Sequence, residues 1–135
     1  MKIVDKMKDD ELGLALLFNF TKGYGQPVPL EYYDIVLPLL YHDYFREEVL
    51  KHQTLQECLQ VCVSHEEHFK ENLLTSIEDY KSMTSKALGM AMIQHILSFQ
   101  IINQNMCGVA LESTILDLNE AIHLGEMVQG MSMKD

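Results

Sequence analysis

"PVPLEYYDIVLPLLYHDYF", residues 27–45, is the most apolar window of the chain, and Pro38 stands in its middle. Inside a helix, proline removes a backbone hydrogen bond and its ring clashes with the carbonyl four residues back. In a central strand it removes a ladder bond. A joint resolves both difficulties. Pro29 can open one helix, since its fixed φ suits a first turn, and that helix carries Leu30, Tyr33, Val36 and Leu37. Pro38 then opens a second short helix, "PLLYHDYFREEVL", because the residue before a proline is biased away from the α region. Two short helices meeting at an angle can each bury an apolar face. Pro38 is thereby given a structural role and no chemistry.

Upstream, residues 8–21 place Leu12, Ala15, Leu16, Phe18 and Phe20 at mostly helical spacing. "KGYGQPVP" ends that helix, its glycines able to supply a C-cap. Downstream, Thr54 with Glu57 forms a capping box, so a helix starts near Leu55 with Leu55, Cys58, Leu59 and Cys62 facing inward. Ser64 with Glu67 predicts a second helix start, followed by a long helix with Phe69, Leu73, Leu74, Ile77 and Tyr80 on one side. Thr84 or Ser85 is expected to cap a further helix, "KALGMAMIQHILSF", with Leu88, Met92, Ile96 and Phe99 along one face. In "SFQIINQNMCGVALE", β-branched residues flank a polar "NQN", which predicts a β-hairpin near residues 98–112. "ILDLNEAIHLGEMVQGM" closes as an amphipathic helix with Ile115, Leu118, Ile122 and Gly125 toward the core. The fold class is therefore mainly α, a single small domain over residues 1–135. Helices, then one hairpin, then a C-terminal helix is a winged-helix-like order.

The 135 residues are enough to bury about two-thirds of the unfolded surface, so a core forms without staples. The composition is 47% hydrophobic and 22% charged, which is globular rather than disordered. Three cysteines, an odd count, read as reduced thiols in the cytoplasm. "MKIVDKMKDDEL" turns acidic at once and has no signal-peptide core. "LGLALLFNF" is far short of the roughly 20 residues that cross a bilayer. The net charge is −10, and Arg46 is the single arginine. Phosphate contacts need clustered Lys and Arg, so direct nucleic-acid binding by this chain alone is not expected. An acidic surface suits a basic protein partner.

The sharpest candidate for a metal is "CLQVCVSHEEH". On a continuous helix Cys58, Cys62 and His65 share a face, with His68 nearby. Thiolate and imidazole are good zinc ligands. The same stripe holds Leu55 and Phe69, however, and small buried cysteines behave as core residues. Paired ligand spacings are missing, and the histidines of "HEEH" are three apart rather than four. Core packing is thus the favoured reading of this cluster. Adjacent carboxylates such as Glu47–Glu48, Glu66–Glu67 and Glu78–Asp79 point in different directions on a helix and argue for no acid/base pair. Neither a nucleophile elbow nor a phosphate loop is present, and no catalytic residue or cofactor is expected. Nine methionines are read as core filling, except in "MVQGMSM" near the end.

"LALLFNFTKGY", "PVPLEYYDIVLPLLYH", "TLQECL", "TSKALGMAMIQHILSF" and "AIHLGEMV" follow one another in an order that resembles the middle component of three-component ABC systems, of which Lamassu is the best-known type. The matching positions are Asn19, Pro29 to His42, Ala87 to Leu97 and Ala121 to Val128. Two positions depart from the pattern. Phe20 follows Asn19 where proline is usual, and Glu126 and Met127 stand where an aromatic residue is usual. The resemblance implies a non-enzymatic subunit that works with an SMC-like ABC ATPase and an effector, often a nuclease. It would help restrain the effector until foreign DNA is sensed. It also makes the aromatic edge formed by Tyr32, Tyr33, Tyr41, Tyr44 and Phe45 the candidate partner-binding surface. Two other readings remain open: a winged-helix transcriptional regulator, although "KALGMAMIQHILSF" carries only Lys86 as a base, and a small zinc protein or enzyme using Cys58, Cys62, His65 and His68.

Overall fold

The computed structural model describes residues 9–132, with side chains from Asp10 to Met131. Met133 and the residue at which the first predicted helix begins, Lys8, lie outside them. Helix α1 spans Asp9–Tyr24. Leu14 through Phe18, Phe20 and Tyr24 are all buried, so this helix is enclosed on nearly every side. Leu16, Leu17 and Phe20 join the main core, while Leu14 and Phe18 serve a smaller cluster with Ala91, Ile96 and Leu97. Each of its two buried polar residues makes a local bond, while Asn19 Oδ1 has no hydrogen-bond partner among the described residues. Thr21 Oγ1 donates to Leu17 O at 2.8 Å, and Asn19 Nδ2 donates to Ala15 O at 2.8 Å. The helix stops at Gly25, whose φ of +74° and bond to Thr21 O supply the left-handed cap expected of this segment.

A two-residue strand, β1 (Val28–Pro29), follows and was not foreseen. It pairs antiparallel with the later strand β3 (Asn105–Ala110) at Gly108 and Cys107. The sheet order is β1-β3-β2, with β2 spanning Leu97–Ile102, so Pro29 sits on an edge strand, where a missing N–H is tolerated. Pro29 therefore does not open an α-helix. It precedes a 3₁₀ segment, Leu30–Ile35.

Helix α2 is Val36–Leu40, five buried residues with Pro38 third among them. The first turn of a helix has orphan N–H groups anyway, so a proline there forfeits no hydrogen bond. This corrects the expected joint. The bend lies after Leu40, at Tyr41 and His42, rather than at Pro38. His42 Nδ1 accepts from Phe45 N at 3.2 Å and caps α3 (Asp43–Glu48). Arg46 reaches back to Leu40 O at 3.0 Å, closing the end of α2.

A short 3₁₀ turn, Val49–Lys51, leads to α4 (Leu55–His65). Thr54 accepts from Glu57 N at 3.2 Å, as the capping box predicts. Ser64 caps nothing: α4 runs on through His65, and the chain breaks at Glu66–His68 instead. Helix α5 then continues unbroken for 25 residues, Phe69–Ile93. The predicted break at Thr84 or Ser85 is absent: no proline interrupts the backbone, Gly89 is accommodated within the helix, and tertiary packing carries it through. Its inward side is narrow. Phe69, Thr84, Ala87 and Ala91 are buried, whereas Leu74 and Met92, each placed on an apolar face by the sequence, are exposed. Alanines at these positions let α5 approach α1 closely.

Helix α5 ends in a Schellman motif. Ile96 N bonds Ala91 O at 2.8 Å and His95 N bonds Met92 O at 3.1 Å. The left-handed residue is His95, with φ of 59°, where glycine is usual. His95→Gly should therefore stabilise the fold by about 0.5–1 kcal/mol, because the side chain is exposed and only the backbone penalty is removed. Thermal melting checks this, with an increase of a few degrees expected.

The hairpin forms as expected, with Leu97↔Ala110 through Ile102↔Asn105 in register. Asn103 and Gln104 both have positive φ, which suits a tight two-residue turn whose twist matches the strands. Helix α6 is Asn119–Ser132. Ala121, Leu124, Gly125, Met127 and Val128 are buried, so Leu118 and Gly125 face the core as predicted, while Ile115 and Ile122 are only partly buried. The architecture is mainly helical with one small antiparallel sheet. A short first strand on the outer edge of the hairpin, and a helix leading directly into that hairpin, give it a winged-helix-like arrangement.

Candidate functional site

The five aromatic residues of the candidate partner-binding edge divide sharply. Tyr33 and Phe45 are fully buried and belong to the core. The 3₁₀ segment turns Tyr33 inward over Gly108, where even a Cβ would press on its ring at 3.1 Å. Its hydroxyl lies 2.7 Å from Thr21 Oγ1, and burial pushes the phenol up to about 12. Both residues are thus removed from any surface role in this conformation. Tyr32, Tyr41 and Tyr44 are half-buried, and each meets a ring on a different element. Tyr32 stands edge-on to Tyr24 at 6.1 Å, Tyr41 stacks on Tyr80 of α5 at 5.4 Å, and Tyr44 stacks flat on His65 of α4 at 3.7 Å.

A polar seam surrounds Tyr44. Glu48 holds Lys51 Nζ at 3.1 Å and His52 Nε2 at 3.2 Å, and these hydrogen bonds keep its carboxyl below the usual carboxylate range. His123 of α6 reaches the same seam, with Nε2 2.6 Å from His52 O. Desolvation, followed by the Glu48 charge, pushes the Tyr44 phenol up. The seam ties α3, α4 and α6 together around the half-buried Tyr44. The Glu48–Lys51–His52 part is local, at i, i+3 and i+4, but the arrival of His123 from α6 had no signal in the sequence, since it lies 71 residues from His52.

The four metal candidates are not brought together. Cys58 and Cys62 are fully buried on the inner face of α4. His65 is occupied by its stack on Tyr44, and His68 sits exposed at the start of α5. Among the described residues, no three His, Cys, Asp or Glu side chains are placed to hold a metal ion. A zinc-bound cysteine must be a thiolate. Here burial, then the neighbouring thiol, pushes Cys58 up to about 12, and burial with the nearby Glu48 and Glu66 charges pushes Cys62 up to about 11, from 9.0. Without a metal, both thiols are therefore protonated at neutral pH in the folded state. The sign of the linkage follows: the folded form is favoured fully below pH 9.0, where unfolded thiols begin to ionise, and loses ground as pH rises toward 11 and 12. A disulfide-exchange reagent at pH 8 should leave Cys58 and Cys62 unlabelled until denaturant is added, as expected for buried, protonated thiols. Replacing both with alanine should cost about 1 kcal/mol each through lost packing. Rapid labelling of the native chain would contradict this placement.

The resemblance-bearing residues are structural ones. Asn19 Nδ2 also donates to Leu116 O at 3.0 Å, and Lys22 pairs with Asp117 at 2.7 Å, so the end of α1 fastens the loop between β3 and α6. His42 caps α3 and packs against Phe69 at 5.1 Å. Among the described residues, no helix is long and apolar enough to cross a membrane.

Comparison with curated proteins and with solved structures gave no match. One family model does match, over residues 13–106, from α1 into the start of β3 and more than half of the chain. It contains Asn19, the Pro29–His42 segment and the α5–β2 region, while α6 with Ala121–Val128 lies beyond it. With its central helix, its 3₁₀–α2 signature and the first strand and turn of its hairpin inside that span, the chain belongs to the Middle Component 3 family of ABC-three component systems.

Proposed function

We propose that this chain is a non-enzymatic accessory subunit of a Lamassu-type defence complex, acting in the cytoplasm against phages and plasmids. It links an SMC-like ABC ATPase to an effector, a nuclease by preference, and holds that effector inactive until foreign DNA is sensed. The observation that carries this reading is the family match across the core, since a middle component works with other components. The surface chemistry supports a protein-binding role. The net charge is −10, and the hairpin from Leu97 to Glu112 contains no Lys or Arg. The winged-helix regulator reading would need a basic reading helix and a basic hairpin. The exposed faces of Tyr32, Tyr41 and Tyr44 offer anchors of the kind favoured at interfaces.

Co-expression with the proteins encoded beside it tests the proposal. A stable complex containing an ABC ATPase is expected, with effector activity rising when this chain is omitted. Failure of the ATPase to co-purify would overturn it. The isolated chain should show no salt-sensitive submicromolar binding to duplex DNA at physiological ionic strength. Such binding in a fluorescence anisotropy titration would favour the regulator instead.

A further inference from the structure

A groove of about 330 Å³ lies between the 3₁₀ segment and the middle of α5, lined by Leu30, Glu31, Asp34, Thr84, Ser85 and Leu88. Its size is at the low end of ligand pockets, about 300–1,000 Å³. Three features set it apart from a chance surface dent. Residues three apart eclipse in a 3₁₀ helix, so Glu31 and Asp34 project from one face. Among the described residues, neither carboxylate forms an ion pair. Thr84 is 2% exposed, yet its hydroxyl has no hydrogen-bond partner among the described residues. Thr21 and Thr75, also within helices, donate to the carbonyl four residues back at 2.8 and 3.1 Å. Thr84 forgoes that bond, and a buried hydroxyl left unpaired is costly unless a ligand completes it.

We infer that this groove receives an arginine side chain from a partner protein. A guanidinium carries five donors on a planar fork, enough to reach both carboxylates and to leave one for the Thr84 hydroxyl to accept. Leu30 and Leu88 flank the aliphatic stem, which favours apolar walls. The occupant's charge complements both the groove and the acidic chain around it. The assignment rests on the subunit role proposed above for the partner's existence, and its chemistry is tested without one.

The 135-residue chain, labelled with ¹⁵N, is titrated with N-acetyl-arginine amide. Saturable shifts are expected at Leu30, Glu31, Asp34, Thr84, Ser85 and Leu88, with affinity about tenfold weaker in Glu31→Gln/Asp34→Asn. Thr84→Val should melt at or above the wild-type temperature and still bind less well, a split that a purely structural role would not produce. Shifts spread evenly over Glu47, Glu66 and Glu78, or none that saturate, would overturn the site. So would the same saturable shifts from magnesium chloride alone, which would mark it as a cation site. In the co-expressed complex, Glu31→Gln/Asp34→Asn should lower capture of the partner components. Unchanged capture would overturn the partner assignment. If the wild-type chain captures no component while the arginine titration succeeds, the subunit reading fails and the groove stands.

Discussion

Replacing Gly23 or Gly125 with alanine is expected to destabilise the fold strongly. Helices α1 and α6 cross with their backbones in contact. A Cβ at Gly23 would strike the Ile122 carbonyl oxygen and lie 2.7 Å from the Ile122 carbonyl carbon. A Cβ at Gly125 would strike the Phe20 carbonyl oxygen and lie 2.7 Å from Tyr24 N. The obstacles are backbone atoms, so no side chain can rotate away, and α6 must retreat along its length. Ala121, Leu124 and Val128 would then lose their seats in the main core. Overpacking typically costs about 1–3 kcal/mol and more where relief is blocked, against a total of about 5–15 kcal/mol. A fall of roughly 10 °C or more in Tm is expected for either variant. Gly89 and Gly130 supply the control, since a Cβ at either meets nothing within 4 Å. Alanine at those positions should be neutral or stabilising by about 0.5–1 kcal/mol. Thermal unfolding of the four single variants decides the matter, and equal melting of all four would refute the close crossing.

Phe45→Ala should destabilise by about 3–5 kcal/mol, the range for truncating a buried aromatic residue. Phe45 is fully buried at the junction of α3 with the main core. Its neighbour Tyr44 is only half-buried, and its contact to His65 is a surface stack, worth about 0.5–1.5 kcal/mol. The two substitutions should therefore separate folding from binding. Phe45→Ala lowers Tm steeply and loses partner capture only because less chain is folded. Tyr44→Ala melts within a few degrees of wild type and is expected to weaken capture of the ABC components in its own right. Melting curves and co-purification of both variants, made side by side, provide the measurement. A Phe45→Ala chain that melts normally would place that ring at the surface.

The candidate surface was only partly legible beforehand. Tyr32 and Tyr33 are adjacent and chemically alike, yet one is half-exposed and the other is 0% exposed. Helical periodicity places Tyr33 with Val36 and Leu37 on an inward stripe, but it says nothing of the Gly108 gap that receives the ring. The same holds for Cys58 and Cys62, whose inward placement follows from spacing, while the loss of His65 to a stack on Tyr44 does not. The groove beside Thr84 was invisible because the sequence presents Thr84–Ser85 as an ordinary helix cap.

What local chemistry determines was already present in the sequence: the Thr54 cap, the left-handed Gly25 stop and the hairpin turn at Asn103–Gln104. Each depends on backbone preferences and hydrogen bonds spanning a few residues. The overall order of helices, hairpin and final helix follows from such signals. Tertiary structure decided the rest. Pairing of Val28–Pro29 with residues about eighty positions later made an edge strand of a predicted helix start. Packing against α1 carried α5 through Thr84 and Ser85, and the glycine contact between α1 and α6 set how closely those two helices approach. These choices depend on surfaces contributed by distant segments, and a close backbone crossing leaves no periodicity in either helix by which a reader could find it.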